Sequence, residues 1–425
     1  MRCLTRWITI LIVMLSGCAY YNNENRLSSI QLVDRQGFKE IISAPERLKN
    51  YQSANFLGPQ PYERVLRVYA RNMEGKTPSK LTTYHNNGEL WQYLEVVNGR
   101  AYGKYREWHE NGMLRLELTL IEGLGDLSEE AQLSWVCDGA SRAIDAQGNV
   151  QAEIYYEKGK RQGPALYFYP NGQLRKKIFY EDDLEDGEVL YYDLDGIVIG
   201  RIPYVLGKRE GLATFEGDNE RPPHSEEYRD GLVVEAVYYD FSGDVIARIE
   251  KGSGRQAVFE NGKLASVREY TGGRPEGEVS KYDDRGNLEN VYHIKDGMKH
   301  GEEWIYYPWM EEGRGLQAKL CIQWHNDLIQ GTTKSWYPNG TLEHERQMYD
   351  NCKHGTMCAW YQDGSLMMVE EYEHDRLCQG SYMRRGEATP ISSVVDGEGI
   401  AMLYDAEGVF IKKVPYKKGC PLNED

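Results

Sequence analysis

The stretch GTTKSWYPNGTLEHERQMYDNCKHGTMCAWYQDGSL, residues 331–366, holds one sequence unit and the start of the next. Gly331 and Gly355 are 24 residues apart, as are Trp336 and Trp360, Gly340 and Gly364, and Leu342 and Leu366. A fixed period of this length marks a repeat array, so the usual estimate of domain number from the 425-residue length does not apply. In the template a Gly opens the unit and an aromatic follows five residues on. Four after that comes a second Gly, often behind Asn or Asp. A Leu stands two further on, and a Tyr some six residues later.

Working outward, Gly163, Phe168, Gly172 and Leu174 form a strong copy, and Gly187, Tyr192 and Gly196 follow it by 24. Gly103, Trp108, Gly112 and Leu114 match, as do Tyr84, Gly88 and Leu90 behind Ser79. Gly277, Tyr282, Gly286 and Leu288 precede Gly301 and Tyr306 by 24, and Gly399, Tyr404 and Gly408 close the run. Worn copies open at Gly139, Gly211, Val234, Ser253 (with Asn261-Gly262) and Gly380. The array spans residues 79–419 in about thirteen units. The spacing expands by 12 over residues 122–135 and by 6 around residues 309–316. Insertions in such arrays map to loops on one face. Ser128 followed by Glu130 reads as a helix start within residues 127–135.

Tyr-Pro-Asn-Gly at residues 169–172 and 337–340 explains the turn. Pro presets φ at the second position, Asn suits the third, and Gly takes the left-handed conformation that closes a hairpin with a bulge. Gly88, Gly112, Gly172, Gly196, Gly262, Gly286, Gly340, Gly364 and Gly408 are the expected turn glycines. The five- to seven-residue segments around them are too short and too aromatic for helix. The expected fold is all-β: an elongated single antiparallel sheet of about thirteen stacked β-hairpin repeats with a small N-terminal cap. Each unit advances such a sheet by roughly 10 Å, on the order of 130 Å in all. Trp108, Phe168, Tyr192, Tyr282, Tyr306, Trp336, Trp360 and Tyr404 are expected to form an aromatic ladder that packs one face and offers exposed edges for binding.

The N-terminus is organised differently. Arg2 and Arg6 precede a short apolar core at residues 7–15, and Leu15-Ser16-Gly17-Cys18 follows. The apolar run is far below the ~20 residues that span a bilayer. Residues 18–30 read as a polar tether, residues 31–78 as a cap or linker with a short helix at 44–51, and residues 420–425 as a tail.

Lys+Arg 50 against Asp+Glu 66 gives a formal net charge of −16, which argues against nucleic acid as a partner. Cys137, Cys321, Cys352, Cys358, Cys378 and Cys420 have no recognisable disulfide framework. Cys352, His354, Cys358, His374 and Cys378 are of zinc-ligand type. Equivalent positions of adjacent repeats lie roughly 10 Å apart, however, so no metal site is expected. His300 and His354 share the sequence Lys-His-Gly before an opening Gly. Acidic clusters such as 181–183 and 370–371 lack calcium-loop spacing. No nucleophile elbow, phosphate loop or dinucleotide fingerprint is present, and no catalytic residue or cofactor is expected.

The repeated phrase resembles the MORN repeat, and more closely the MORN-2 variant of bacterial proteins of the YwqK antitoxin-like family. LSGC resembles a lipobox. That resemblance implies cleavage before Cys18, lipidation at Cys18, and anchoring in the bacterial cell envelope, with the outer membrane favoured by Ala19 if the cell has one. The expectation is a non-enzymatic, lipid-anchored scaffold that binds a protein partner. An antitoxin- or immunity-like binder of a basic toxin is the alternative, and a glycan hydrolase using a carboxylate pair is a third.

Overall fold

The computed structural model describes residues 26–308 and 315–422. The leader, Cys18, most of the tether, the greater part of the insertion around residues 309–316, and residues 423–425 lie outside the described residues. The described chain contains thirty-eight β-strands and two four-residue helices. Strand pairs are antiparallel and follow in hairpin order, as the repeated turn chemistry requires. Two compact units are distinguished, one ending at Leu184 and one beginning at Glu185.

In the first unit, strand Leu27–Asp34 pairs with both Lys39–Ile42 and Tyr62–Tyr69, and the latter pairs with the first repeat strand, Pro78–Tyr84. The first strand therefore starts within the segment read as tether, and its Leu27 and Ile30 are buried. Helix Pro45–Leu48 buries Leu48 beside Phe56 in the same cluster. A second cluster gathers Leu81, Leu94, Ala101, Tyr105 and Leu120. The twelve-residue insertion folds back over it. Helix Glu129–Gln132 is capped by Ser128, whose side chain accepts from the Ala131 N–H, and Trp135 packs on Tyr105 with ring centroids 4.8 Å apart.

In the second unit, one core cluster runs from Ala213 to Tyr270 and another from Met357 to Ala401. Both belong to the same structural row. The residue two after the opening Gly is buried in copy after copy: Tyr105, Ala165, Val189, Ala213, Val279, Glu303, Thr333, Met357 and Ala401. Successive strand residues point to opposite faces, so this row and the aromatic five after the Gly lie on different faces.

The best-formed repeats have two bulges. One is at the hairpin turn, where for example Gly340 donates to the Tyr337 carbonyl and Tyr337 donates to the Thr341 carbonyl, both at 2.9 Å. All nine expected turn glycines have φ between 77° and 95°. Eight close a turn of this kind. Gly262 does not: Glu260 pairs with Lys263 around Asn261 and Gly262, both at positive φ, which is a two-residue type I′ hairpin.

The other bulge explains the opening glycine. At Gly331 φ is 107°, and a Cβ there would meet Gln323 Oε1 at 2.1 Å. That oxygen accepts from the Thr332 N–H at 2.7 Å. Gln347 does the same over Gly355, Glu95 over Gly103 and Glu269 over Gly277. In these four copies a Glu or Gln eight residues before the Gly thus lies across it and satisfies the next backbone donor, and any larger residue would displace that side chain.

Candidate functional site

The interior row of the second unit is unusually polar. Strand His224–Arg229 pairs with Gly211–Phe215 on one side and Leu232–Tyr239 on the other. The register places Glu226 between Ala213 and Ala236, two small side chains that leave room for its carboxylate. Glu226 is 9% exposed. It accepts from Tyr228 Oη, from Tyr238 Oη at 2.5 Å, and from Gln256 Nε2 at 3.2 Å. Burial and the adjacent Glu226 carboxylate push both phenols well above the ordinary tyrosine range.

The same device recurs at the same offsets. Glu370 accepts from Tyr372 at 3.0 Å and from Tyr382 at 2.7 Å, two and twelve residues on. It stands between Met357 and Gly380. A Cβ on Gly380 would lie 2.7 Å from Tyr382 Oη, so the missing side chain lets the phenol reach the carboxylate. Glu303 is the third buried carboxylate. It accepts from Lys299 Nζ, Asn290 Nδ2 and Trp324 Nε1 at 2.8 to 3.0 Å. Burial pushes its carboxyl up, but these donors outweigh burial and hold it below the usual range.

The Glu226 copy borders a cavity of about 150 Å3 walled by Tyr191, Phe215, Arg221 and His224. His224 lies 5.3 Å from Phe215 and 5.8 Å from Tyr238 between ring centroids. The Arg221 guanidinium sits 4.6 Å over Phe215 and pairs with Asp218 at 3.2 Å. The cavity can hold a few waters or a small polar molecule. Three donors already occupy Glu226, and among the described residues it is the one carboxylate that lines this space, so the arrangement suits packing and weak binding better than acid–base chemistry. Sequence reasoning passed over Glu226. The signal that could have found it is Glu-x-Tyr with a further Tyr at twelve, present twice.

The eight ladder aromatics are all half-buried, and no two of them are in ring contact among the described residues. Trp336 instead stacks on Trp304 at 5.6 Å and 21°, and Tyr404 meets Phe410 edge-on at 5.7 Å. The fully buried aromatics are mostly others, among them Tyr180, Tyr270 and Tyr372, six after the template Leu. The ladder is thus a half-open strip on the face away from the buried row. At the turn bulge Trp336 pairs across the strands with Leu342, and Trp360 with Leu366.

The Tyr that opens the turn has a role beyond it. Tyr337 Oη donates to the Trp360 carbonyl at 2.8 Å, and Tyr361 Oη donates to the Met383 carbonyl at 2.8 Å. His85 and His109 contact the Trp108 and Ile144 carbonyls in the same way at 2.8 and 2.9 Å. At the opposite edge Asp183, Asp327, Asn351 and Asp375 each accept from a backbone N–H of the preceding repeat.

The six cysteines from Cys137 to Cys420 are free thiols. No group of three His, Cys, Asp or Glu residues is placed to hold a metal among the described residues. The distance argument for Cys352 to Cys378 needs correction, though. His354 and His374 do not occupy equivalent positions of adjacent repeats. They sit at the ends of neighbouring strands, Cys352–Trp360 and Leu366–Glu373, and their rings are in contact at 4.8 Å.

Against known families, residues 101–121, 161–182 and 329–351 match the MORN repeat variant. The chain carries MORN repeats of the variant type. No curated protein matches this MORN-repeat chain. Among solved structures, TcdB2-TccC3 without its hypervariable C-terminal region is 11% identical, with 88% of this chain and 24% of that one covered and a TM-score of 0.14. The MORN-repeat chain thus spans about a quarter of that protein. A porin-like protein from Bacteroides uniformis is 11% identical, with 57% and 94% covered and a TM-score of 0.15. At such scores neither likeness carries an argument.

Proposed function

We propose that this MORN-repeat protein is a non-enzymatic scaffold that binds a protein partner, held to the bacterial envelope by lipid on Cys18. The observation that carries the binding reading is the half-open aromatic strip. It recurs within each unit, at Trp108 and Phe168 in the first and from Tyr192 to Tyr404 in the second, while each buried carboxylate is occupied by donors from its own chain. Large apolar side chains also stand out in the loops, with Ile197, Leu206 and Val409 each over 60% exposed. The tether reading rests on Leu15-Ser-Gly-Cys18 behind a short apolar core.

The test is crosslinking and fractionation in intact cells. Cys18→Ala is expected to move the protein into the soluble fraction, and Trp336→Ala with Trp360→Ala is expected to lose a crosslinked protein that the parent captures. Unchanged membrane association would refute the anchor, and an unchanged crosslinking pattern would refute the strip. The net charge of −16 favours a second reading, a binder of a basic toxin. Copurification with one basic protein, weakened by salt, would support that reading.

A further inference from the structure

We infer that His300 with His325, and His354 with His374, form two sites that each take one divalent transition-metal ion of the zinc, nickel or copper class. Both pairs belong to the second unit, and both include the His of Lys-His-Gly that precedes an opening glycine. Pairing of Gly301 with Trp324 brings His300 opposite His325. Pairing of Gly355 with Tyr372 brings His354 diagonally beside His374, which sits at φ 46° in its turn.

The geometry is that of convergence and not of stacking. The ring centroids are 4.9 Å apart with planes inclined at 51° in the first pair, and 4.8 Å apart at 66° in the second. By contrast His224, inside the protein, lies nearly parallel to Tyr238 at 21°. An ion bound to imidazole nitrogens at roughly 2.0–2.1 Å fits between two rings so inclined. In the first pair Asn326 Oδ1 lies 3.3 Å from His300 Nδ1. A hydrogen bond there holds the Nδ1–H tautomer and leaves the Nε2 lone pair free, the usual way a neighbouring acceptor orients a metal-binding histidine.

Packing does not account for the contacts. His325, His354 and His374 are exposed, so holding two imidazoles together buries little surface. Exposure also leaves the ion's remaining positions to water. Asp327 and Asp375 lie in the same two turns and add negative charge nearby. His85 and His109 differ in that their Nε2 atoms are committed to backbone carbonyls. Neutral imidazole is the ligand class shared by zinc, copper and nickel, which sets the ion class.

Equilibrium dialysis of the full-length protein in detergent against Ni2+ at about pH 7.5 tests this, because imidazole is mostly neutral there. The parent is expected to bind two more ions than a variant carrying His→Asn at all four positions. His354→Asn with His374→Asn is expected to lose one ion and keep the other, as is His300→Asn with His325→Asn. Far-ultraviolet circular dichroism confirms that each variant remains folded. Equal stoichiometry in the parent and the fourfold variant would overturn the inference. A pair variant that loses no ion would overturn that site.

Discussion

Tyr238→Phe removes one of three donors from a buried carboxylate and leaves the rest of the ring in place. Tyr238 is 3% exposed and its hydroxyl lies 2.5 Å from Glu226 Oε1. A hydrogen bond to a charged group contributes about 1.5–3 kcal/mol, so the expected loss is about 2 kcal/mol. In a Glu226→Gln background the same substitution removes only a neutral bond, and about 1 kcal/mol is expected. Stability in repeat arrays is local and summed over neighbours, so the right readout is native-state hydrogen exchange. Amides of His224–Arg229 and Leu232–Tyr239 should exchange about thirtyfold faster in Tyr238→Phe, since each 1.4 kcal/mol is about tenfold. Strand Leu366–Glu373, with its own Glu370 cage, should not change. A change below about threefold, or the same change in the Gln background, would refute the account of a phenol-held charge.

Gly355→Ala should destabilise its repeat by more than Gln347→Ala. The first strains φ 94° and drives a Cβ to within 2.1 Å of Gln347 Oε1, whereas the second only uncaps the Thr356 N–H, at about 1 kcal/mol. Denaturant titration of the two variants compares them. Gly380→Ala should disturb Tyr382 without backbone strain, and the change should appear as altered exchange around Glu370. The folded state should weaken as pH rises above about 10, because Tyr228, Tyr238, Tyr372 and Tyr382 hold their protons more tightly folded than unfolded. The tyrosinate absorbance of these four buried phenols should then appear together with unfolding and not before it. In acid the sign reverses: Glu303, Glu117 and Asp126 are held below the usual carboxylate range, so their stabilisation is present above about pH 4.5 and lost as pH falls through their folded values. Thermal melts between about pH 5 and 2 read this loss.

The turn glycines, the hairpin order and the helix start at Ser128 were legible because each depends on local chemistry. Pro-Asn-Gly closes a turn wherever it stands, and Ser128 caps whatever follows it. The core was not legible. The conspicuous Trp and Tyr five after the Gly drew attention to one face, while the row that is buried carries Ala, Val, Thr and Glu, residue types with no common pattern. Glu370 looked like a member of a solvated acidic run and Glu226 drew no notice; only the register showed Ala213 and Ala236 beside Glu226, and Gly380 on one side of Glu370. The His354–His374 contact was missed because distance was counted in repeats, when the two residues are a single strand apart.

Many clasps between repeats wait on the repeat that follows. On the turn edge a side chain of an earlier repeat reaches forward, as Tyr337 does to Trp360 and Tyr361 to Met383. On the other edge a backbone N–H of the earlier repeat waits for an acceptor some 22 residues later, as Lys353 does for Asp375. A repeat emerging from the ribosome therefore cannot complete its own hydrogen bonds until the next has been made. At roughly 5–20 residues per second that delay is about one to five seconds per repeat. Copies whose turn opens with Asp are released from part of this wait: Asp405 accepts from the Glu407 and Val409 amides of its own loop and closes the last turn without a successor.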